Sequence, residues 1–247
     1  MNEALTAETV MMKGHEGDKV EAYLARPADA DSFGGVVVIH HLPGYDSATK
    51  EITRKFAARG YAALMPNLYH RDSPGASPDD AAAAARAKGG MPDDQVVGDV
   101  AGAADYLRGL PGSNGKVGVI GYCSGGRQAF LAACSLKLDA AVDCYGGAVV
   151  HVPAGAPASM KPLIGLSKNL SCPLLGLFGA DDQFPTPADM AELSRTLEEL
   201  GKEHEFHTFT GAGHAFFSVD RASYRVEAAV EGWDKVWDFF GRHLAGE

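Results

Sequence analysis

The chain has 247 residues, of which 46% are hydrophobic and 22% charged, with a formal net charge of −10. A chain this long buries enough surface to fold without staples, and its acidic balance, lacking any basic run, argues against nucleic acid or anionic membrane as a partner. The first residues lack a basic segment followed by an apolar one, and no stretch approaches the roughly 18 apolar residues of a membrane span, so a cytoplasmic protein is expected.

In chain order, β-rich runs come first at 9–13 and at 19–26, the second ending at Pro27. Residues 35–41 (Gly35 to His41) are continuous and β-branched, as in a strand buried on both faces. Leu42-Pro43-Gly44 breaks that run, and 48–59 reads as a helix closed by Gly60. A second buried strand at 61–65 stops at Pro66, and helices follow at 79–88 and 93–108, the first of them alanine-rich. Next come a strand at 116–120, a helix at 124–135 and a strand at 140–145. The irregular stretch 149–171, rich in Pro, Gly and Ser, is expected to be one long surface loop forming a lid or pocket wall. A strand at 174–178, a helix at 187–200, a strand at 205–208 and a closing helix at 222–244 complete the chain.

Strands alternating with helices predict an α/β fold: a mainly parallel central sheet flanked by helices on both faces, in a single domain over 1–247. Ligands of such sheets bind at the carboxyl ends of the strands, so a catalytic residue should stand just after a strand.

Gly121-Tyr122-Cys123-Ser124-Gly125 meets that requirement. It lies between a strand and a helix and has the nucleophile-elbow pattern G-x-S-x-G, with cysteine in the serine position. Glycines on both sides let the helix pass close to the strand, and the helix N-terminus favours a thiolate. The other cysteines, Cys134, Cys144 and Cys172, show no CxxC spacing and read as small core residues of a reducing compartment.

A thiol nucleophile needs an imidazole, and the imidazole needs an acid, which in this fold follow the nucleophile as acid and then histidine. The strand at 174–178 runs into Gly179-Ala180-Asp181-Asp182, where Asp182 fits the spacing and Asp181 is the alternative. The last strand runs into Gly211-Ala212-Gly213-His214, and among nine histidines only His214 combines such a turn with the right chain order. The oxyanion hole needs two backbone N–H groups, one expected from Ser124 and one from Leu42. His40 and His41 do not suggest a metal site, because neighbouring strand residues point to opposite faces. Neither a metal nor a cofactor is expected.

Through Gly121-Tyr122-Cys123-Ser124-Gly125-Gly126, the 179–184 turn, the 211–216 turn and the 60–71 segment, the sequence resembles the dienelactone hydrolase family over nearly its whole length. The resemblance implies an α/β-hydrolase fold and cofactor-independent hydrolysis of a cyclic enol lactone by a Cys-His-Asp triad, carried here by Cys123, His214 and Asp182. It also implies that Arg71 clamps a substrate carboxylate. Two positions depart from the family: His41 stands where a glutamate meets the thiol, and Ser218 replaces a second carboxylate-binding arginine. Arg71 and His41 are therefore the expected substrate-binding residues. The expected activity is hydrolysis of a small carboxylic ester or lactone through an acyl-thioester, by a monomer or small homo-oligomer. The alternatives are a general small-ester carboxylesterase, and a non-catalytic or thiol-sensing protein on the same fold.

Overall fold

Every residue of β3 (Phe33–Ile39) is buried, in a computed structural model that describes residues 4–157 and 159–246. Burial on both faces is what its glycine-and-valine composition requires, and the two faces feed two different cores. Val37 and Ile39 pack with residues of α3 (Asp93–Arg108) and α4 (Ser124–Ser135), while Val36 and Val38 pack with Phe56 of α1 (Ser47–Ala58) and Phe240 of α6 (Val226–Leu244). Helices thus cover both faces of one sheet.

The remaining strands are β1 (Leu5–Lys13), β2 (Lys19–Pro27), β4 (Ala62–Pro66), β5 (Ser113–Tyr122), β6 (Ala140–Cys144), β7 (Leu174–Gly179) and β8 (His204–Phe209). Their order is β1-β2-β4-β3-β5-β6-β7-β8. From β4 to β8 all pairs are parallel, and β1 and β2 add an antiparallel edge. The two other helices are α2 (Pro78–Ala87) and α5 (Pro187–Glu199). The parallel sheet with crossover helices is the expected architecture.

Boundaries differ from the sequence reading where long-range pairing decides them. β1 begins at Leu5 because it pairs with β2 along its full length, Leu5 opposite Pro27. β3 stops at Ile39, since the His40 ring turns aside to accept from Leu68 N–H at 3.3 Å. The stretch 149–171 is not one surface loop. Val149, Val150, Leu163 and Leu170 are buried, a 3-10 turn spans Ile164–Asn169, and the N–H groups of Leu163 and Ile164 both donate to the Val149 carbonyl at 2.8 Å. Four apolar side chains in a proline-rich stretch suffice to pin it to the core.

The sheet positions the site by bringing β5 and α4 into backbone contact. A Cβ at Gly121 would lie 1.8 Å from the Gly125 carbonyl oxygen, and one at Gly125 would lie 2.4 Å from that of Ile39. Neither neighbour is a flexible side chain, so only glycine fits. Gly125→Ala is expected to destabilise the fold by about 1–3 kcal/mol, through forced separation of α4 from β3. A thermal midpoint unchanged from wild type would show that the helix can shift without cost.

Candidate active site

Cys123 follows the last residue of β5 and sits at the N-cap of α4 with φ 56° and ψ −118°. This is a conformation that a non-glycine residue holds only when its surroundings impose it. Two backbone bonds do so: Cys123 N–H donates to the Cys144 carbonyl at 3.0 Å, and Gly126 N–H to the Cys123 carbonyl at 2.9 Å. The thiol is half-buried, whereas Cys134 and Cys144 are buried. Burial pushes the thiols of Cys134 and Cys172 up to about 12 and raises that of Cys144 well above its ordinary value, so all three stay neutral.

His214 lies in the turn after β8, and its Nδ1 is 2.9 Å from Asp182 Oδ2. Asp182 is buried in the turn after β7, and its other oxygen accepts from Phe184 N–H at 2.9 Å. Asp181 is exposed, and the carboxylate within hydrogen-bond distance of His214 is that of Asp182. Burial opposes a charged His214, but the hydrogen bond it donates to Asp182, with the bond and charge of Cys123, outweighs it and raises the imidazole to about 10. The geometry therefore couples three groups from three strand ends into a chain of carboxylate, imidazolium and thiol.

The N–H groups of Leu42 and Ser124 have no backbone partner among the described residues, and both residues line a cavity of about 710 Å³. Unpaired N–H groups on a cavity wall are what an oxyanion site requires. Pro157 and Met160 of the 149–171 stretch also line this cavity, so that stretch is a pocket wall. A second cavity of about 430 Å³ lies on the other side of the same two segments, lined by His41, Tyr122, Tyr145 and Ser218. Tyr122 and His41 face one cavity, and their neighbours Ser124 and Leu42 the other.

Of the two expected substrate-binding residues, Arg71 has its guanidinium held by both oxygens of buried Asp99, at 2.8 and 3.0 Å, and by Asp18 at 2.8 Å, so its charge is matched within the protein. It lines neither of these two cavities. His41 is buried with its Nε2 2.8 Å from Asp46 Oδ2, which ties it to the N-cap of α1. His40 is held near a pKa of about 4 by burial, against its bond to the His41 carbonyl, and is neutral. No group of three His, Cys, Asp or Glu side chains suited to a metal occurs among the described residues.

Tyr145 escaped the sequence reading. Tyr145 has φ 47° just after β6, and its ring meets His214 edge-on at 5.1 Å between centroids. Its position after a strand was the available signal. Exposed Arg221 donates to the Leu42 carbonyl at 3.3 Å, linking the histidine loop to the oxyanion loop.

A nucleophile-elbow turn after β5 of a parallel sheet, with acid and histidine turns after β7 and β8, defines an α/β-hydrolase. A sequence model of the dienelactone hydrolase family matches residues 20–244, and the chain belongs to that family. It is 29% identical over 231 residues to the "Putative carboxymethylenebutenolidase" of Synechocystis sp., covering 92% of this chain and 93% of that one. A Yersinia pestis protein of the same name is 33% identical over 233 residues, covering 92% and 85%. A Klebsiella pneumoniae crystal structure described as a "Putative Dienelactone Hydrolase" superposes with a TM-score of 0.86 at 28% identity, over 97% of this chain and all of that one. The protein is a hydrolase of this family.

Because the folded His214 pKa lies above its ordinary 6.5, its charged pairing stabilises fully below pH 6.5 and is lost as pH rises through about 10. Asp182→Asn is expected to lower the His214 titration midpoint, read by NMR, and Asp181→Asn to leave it in place. A midpoint indifferent to Asp182→Asn would remove the acid from the site.

Proposed function

We propose that the chain hydrolyses small carboxylic esters or lactones by covalent catalysis at Cys123, with His214 and Asp182 as its base and orienting acid. What carries this reading is the half-buried Cys123 at positive φ, between neighbours that line two cavities, coupled to an imidazole that remains charged at neutral pH. The family relationship and the names of the relatives support hydrolysis of an ester or lactone bond.

The Cys123 thiolate attacks the substrate carbonyl, and the resulting oxyanion accepts hydrogen bonds from the N–H groups of Leu42 and Ser124. Collapse of this intermediate breaks the ester C–O bond. The departing oxygen takes the His214 proton, which leaves an acyl-thioester and a neutral imidazole. That imidazole removes a proton from water as the water attacks the thioester. Collapse releases the carboxylic acid and restores the thiolate–imidazolium pair. In a lactone the departing hydroxyl remains part of the product. Asp182 keeps Nδ1 as the bonded nitrogen, so Nε2 is the one that exchanges the proton.

Cys123→Ala is expected to abolish turnover of 4-nitrophenyl esters, and iodoacetamide to label Cys123 ahead of Cys134, Cys144 and Cys172, whose thiols burial keeps neutral. Near-wild-type turnover in the alanine variant would sink the covalent mechanism. Asp182→Asn should cost on the order of 10²–10⁴-fold in kcat, by the logic of other triads. Ser124→Ala should retain most activity, because the proposed donor is its backbone N–H. A collapse of kcat in Ser124→Ala would make the hydroxyl a reacting group.

A further inference from the structure

β6 carries one carboxyl, that of Asp143, and it has no exposed surface. Its Cα partners on β5 and β7 are Gly121 and Gly176, which offer it no side chain. A Cβ at Gly126 or Gly146 would lie 2.3 or 2.4 Å from Asp143 Oδ1, so this oxygen reaches under the first turn of α4 into space that glycines leave open. Oδ1 accepts from Gly146 N–H at 2.7 Å, whereas Oδ2 is buried with no partner among the described residues. A buried carboxyl so thinly partnered costs stability, and chains keep such groups chiefly at functional sites.

The bond to Gly146 holds a turn that meets both partners of Cys123. Tyr145 and Ala148 in this turn have φ 47° and 59°, a conformation their surroundings must impose. Tyr145 N–H donates to the Leu177 carbonyl at 2.9 Å, and the Tyr145 ring meets His214 edge-on. Gly147 lies against the Phe184 ring, where a Cβ would come within 2.3 Å of it. Phe184 N–H in turn donates to Asp182 at 2.9 Å. Just before the turn, the Cys144 carbonyl accepts from Cys123 N–H at 3.0 Å. One carboxyl thus braces the segment on which nucleophile, imidazole and acid all lean.

We propose that Asp143 is a positioning residue for the reaction at Cys123, and that the protonation state of its carboxyl sets how firmly the 145–148 turn holds His214 and the acid turn. This rests on the reading that Cys123, His214 and Asp182 act together. When ionised, Asp143 gives Gly146 N–H a charge-assisted acceptor and attracts the imidazolium; when protonated, it gives a weaker neutral one. Burial raises its pKa to about 7, against the Gly146 bond and the charge of His214, so both forms occur near neutrality. Of the groups around it, Gly121 and Gly176 carry no charge, burial keeps Cys144 neutral, and the Arg127 guanidinium of α4 is bound to Asp93. His214 is the group whose charge reaches it.

The test measures kcat and KM for 4-nitrophenyl acetate across the neutral pH range in wild type, Asp143→Asn and Asp143→Ala. Asparagine keeps the shape and an acceptor for Gly146 N–H but cannot ionise, and alanine removes the acceptor. In wild type kcat should rise with pH through a step near 7, and Asp143→Asn should lack that step and stay at the low-pH level. Asp143→Ala should lower kcat at every pH by roughly three- to tenfold with KM little changed, in line with loss of one hydrogen bond. Asp143→Asn should also lower the His214 titration midpoint read by NMR, because a negative charge that favours the imidazolium is gone. The folded pKa lies above the ordinary 3.8, so the contribution of this carboxyl to stability is full below 3.8 and lost as pH rises through about 7. Asp143→Asn should therefore raise the thermal midpoint at alkaline pH and move it least in acid. An unchanged pH step in Asp143→Asn overturns the proposal, as does wild-type kcat in Asp143→Ala. Should the alanine variant not fold, the asparagine variant, which keeps the shape, decides. Undiminished turnover by Cys123→Ala overturns instead the reading beneath it.

Discussion

The whole site depends on the contact between β5 and α4. Residues 121 and 125 bring two backbones closer than any Cβ allows, and that proximity forces the intervening residue to positive φ. Cys123 is set at the N-cap of α4, where the Ser124 N–H, like any first-turn N–H of a helix, has no helical partner, and Ser124 lines one cavity together with Leu42. On the proposed reading, the nucleophile and its oxyanion donors share one packing constraint. The strain persists because backbone bonds from Cys123 and Gly126 lock the turn on both sides.

Around that turn, charges are matched with few exceptions. Asp182 is buried and bonded twice, Arg71 is bonded by two carboxylates, and Arg127 is bonded by one carboxylate and the Lys161 carbonyl. A buried charge left alone would cost several kcal/mol, so such matching is a condition of folding.

Much of this was legible in the sequence because it is local. The glycines flanking Cys123, the strand-to-turn transitions before Asp182 and His214, and the parallel alternation of strands all depend on neighbours a few residues away. Choosing Asp182 over Asp181 required only which of two adjacent side chains turns inward. The ion pairs of Arg71 were not legible, because its partners, Asp18 and Asp99, are remote in sequence and no local pattern announces a carboxylate arriving from α3. The stretch 149–171 was misread for a related reason. Its Pro, Gly and Ser content describes the backbone, whereas Val149, Leu163 and Leu170 decide its burial. Nothing in the Ala81 to Ala85 run itself announces that Tyr69 packs on it.

The residues on either side of Cys123 line two different cavities, and the chain builds that difference by alternation. His41 and Tyr122 turn towards the smaller cavity, and Leu42 and Ser124 towards the larger. In the smaller one His41 is bound to Asp46 and Ser218 to Tyr145, while the Tyr122 hydroxyl is buried without a partner. In the larger one the Leu42 and Ser124 N–H groups have no backbone partner among the described residues. On the proposed reading, the ester oxygen is drawn to the larger cavity, because two unpaired N–H groups stand on its wall. Ser218 gives Tyr145 a neutral partner, and the Tyr145 ring in turn meets that of His214 edge-on.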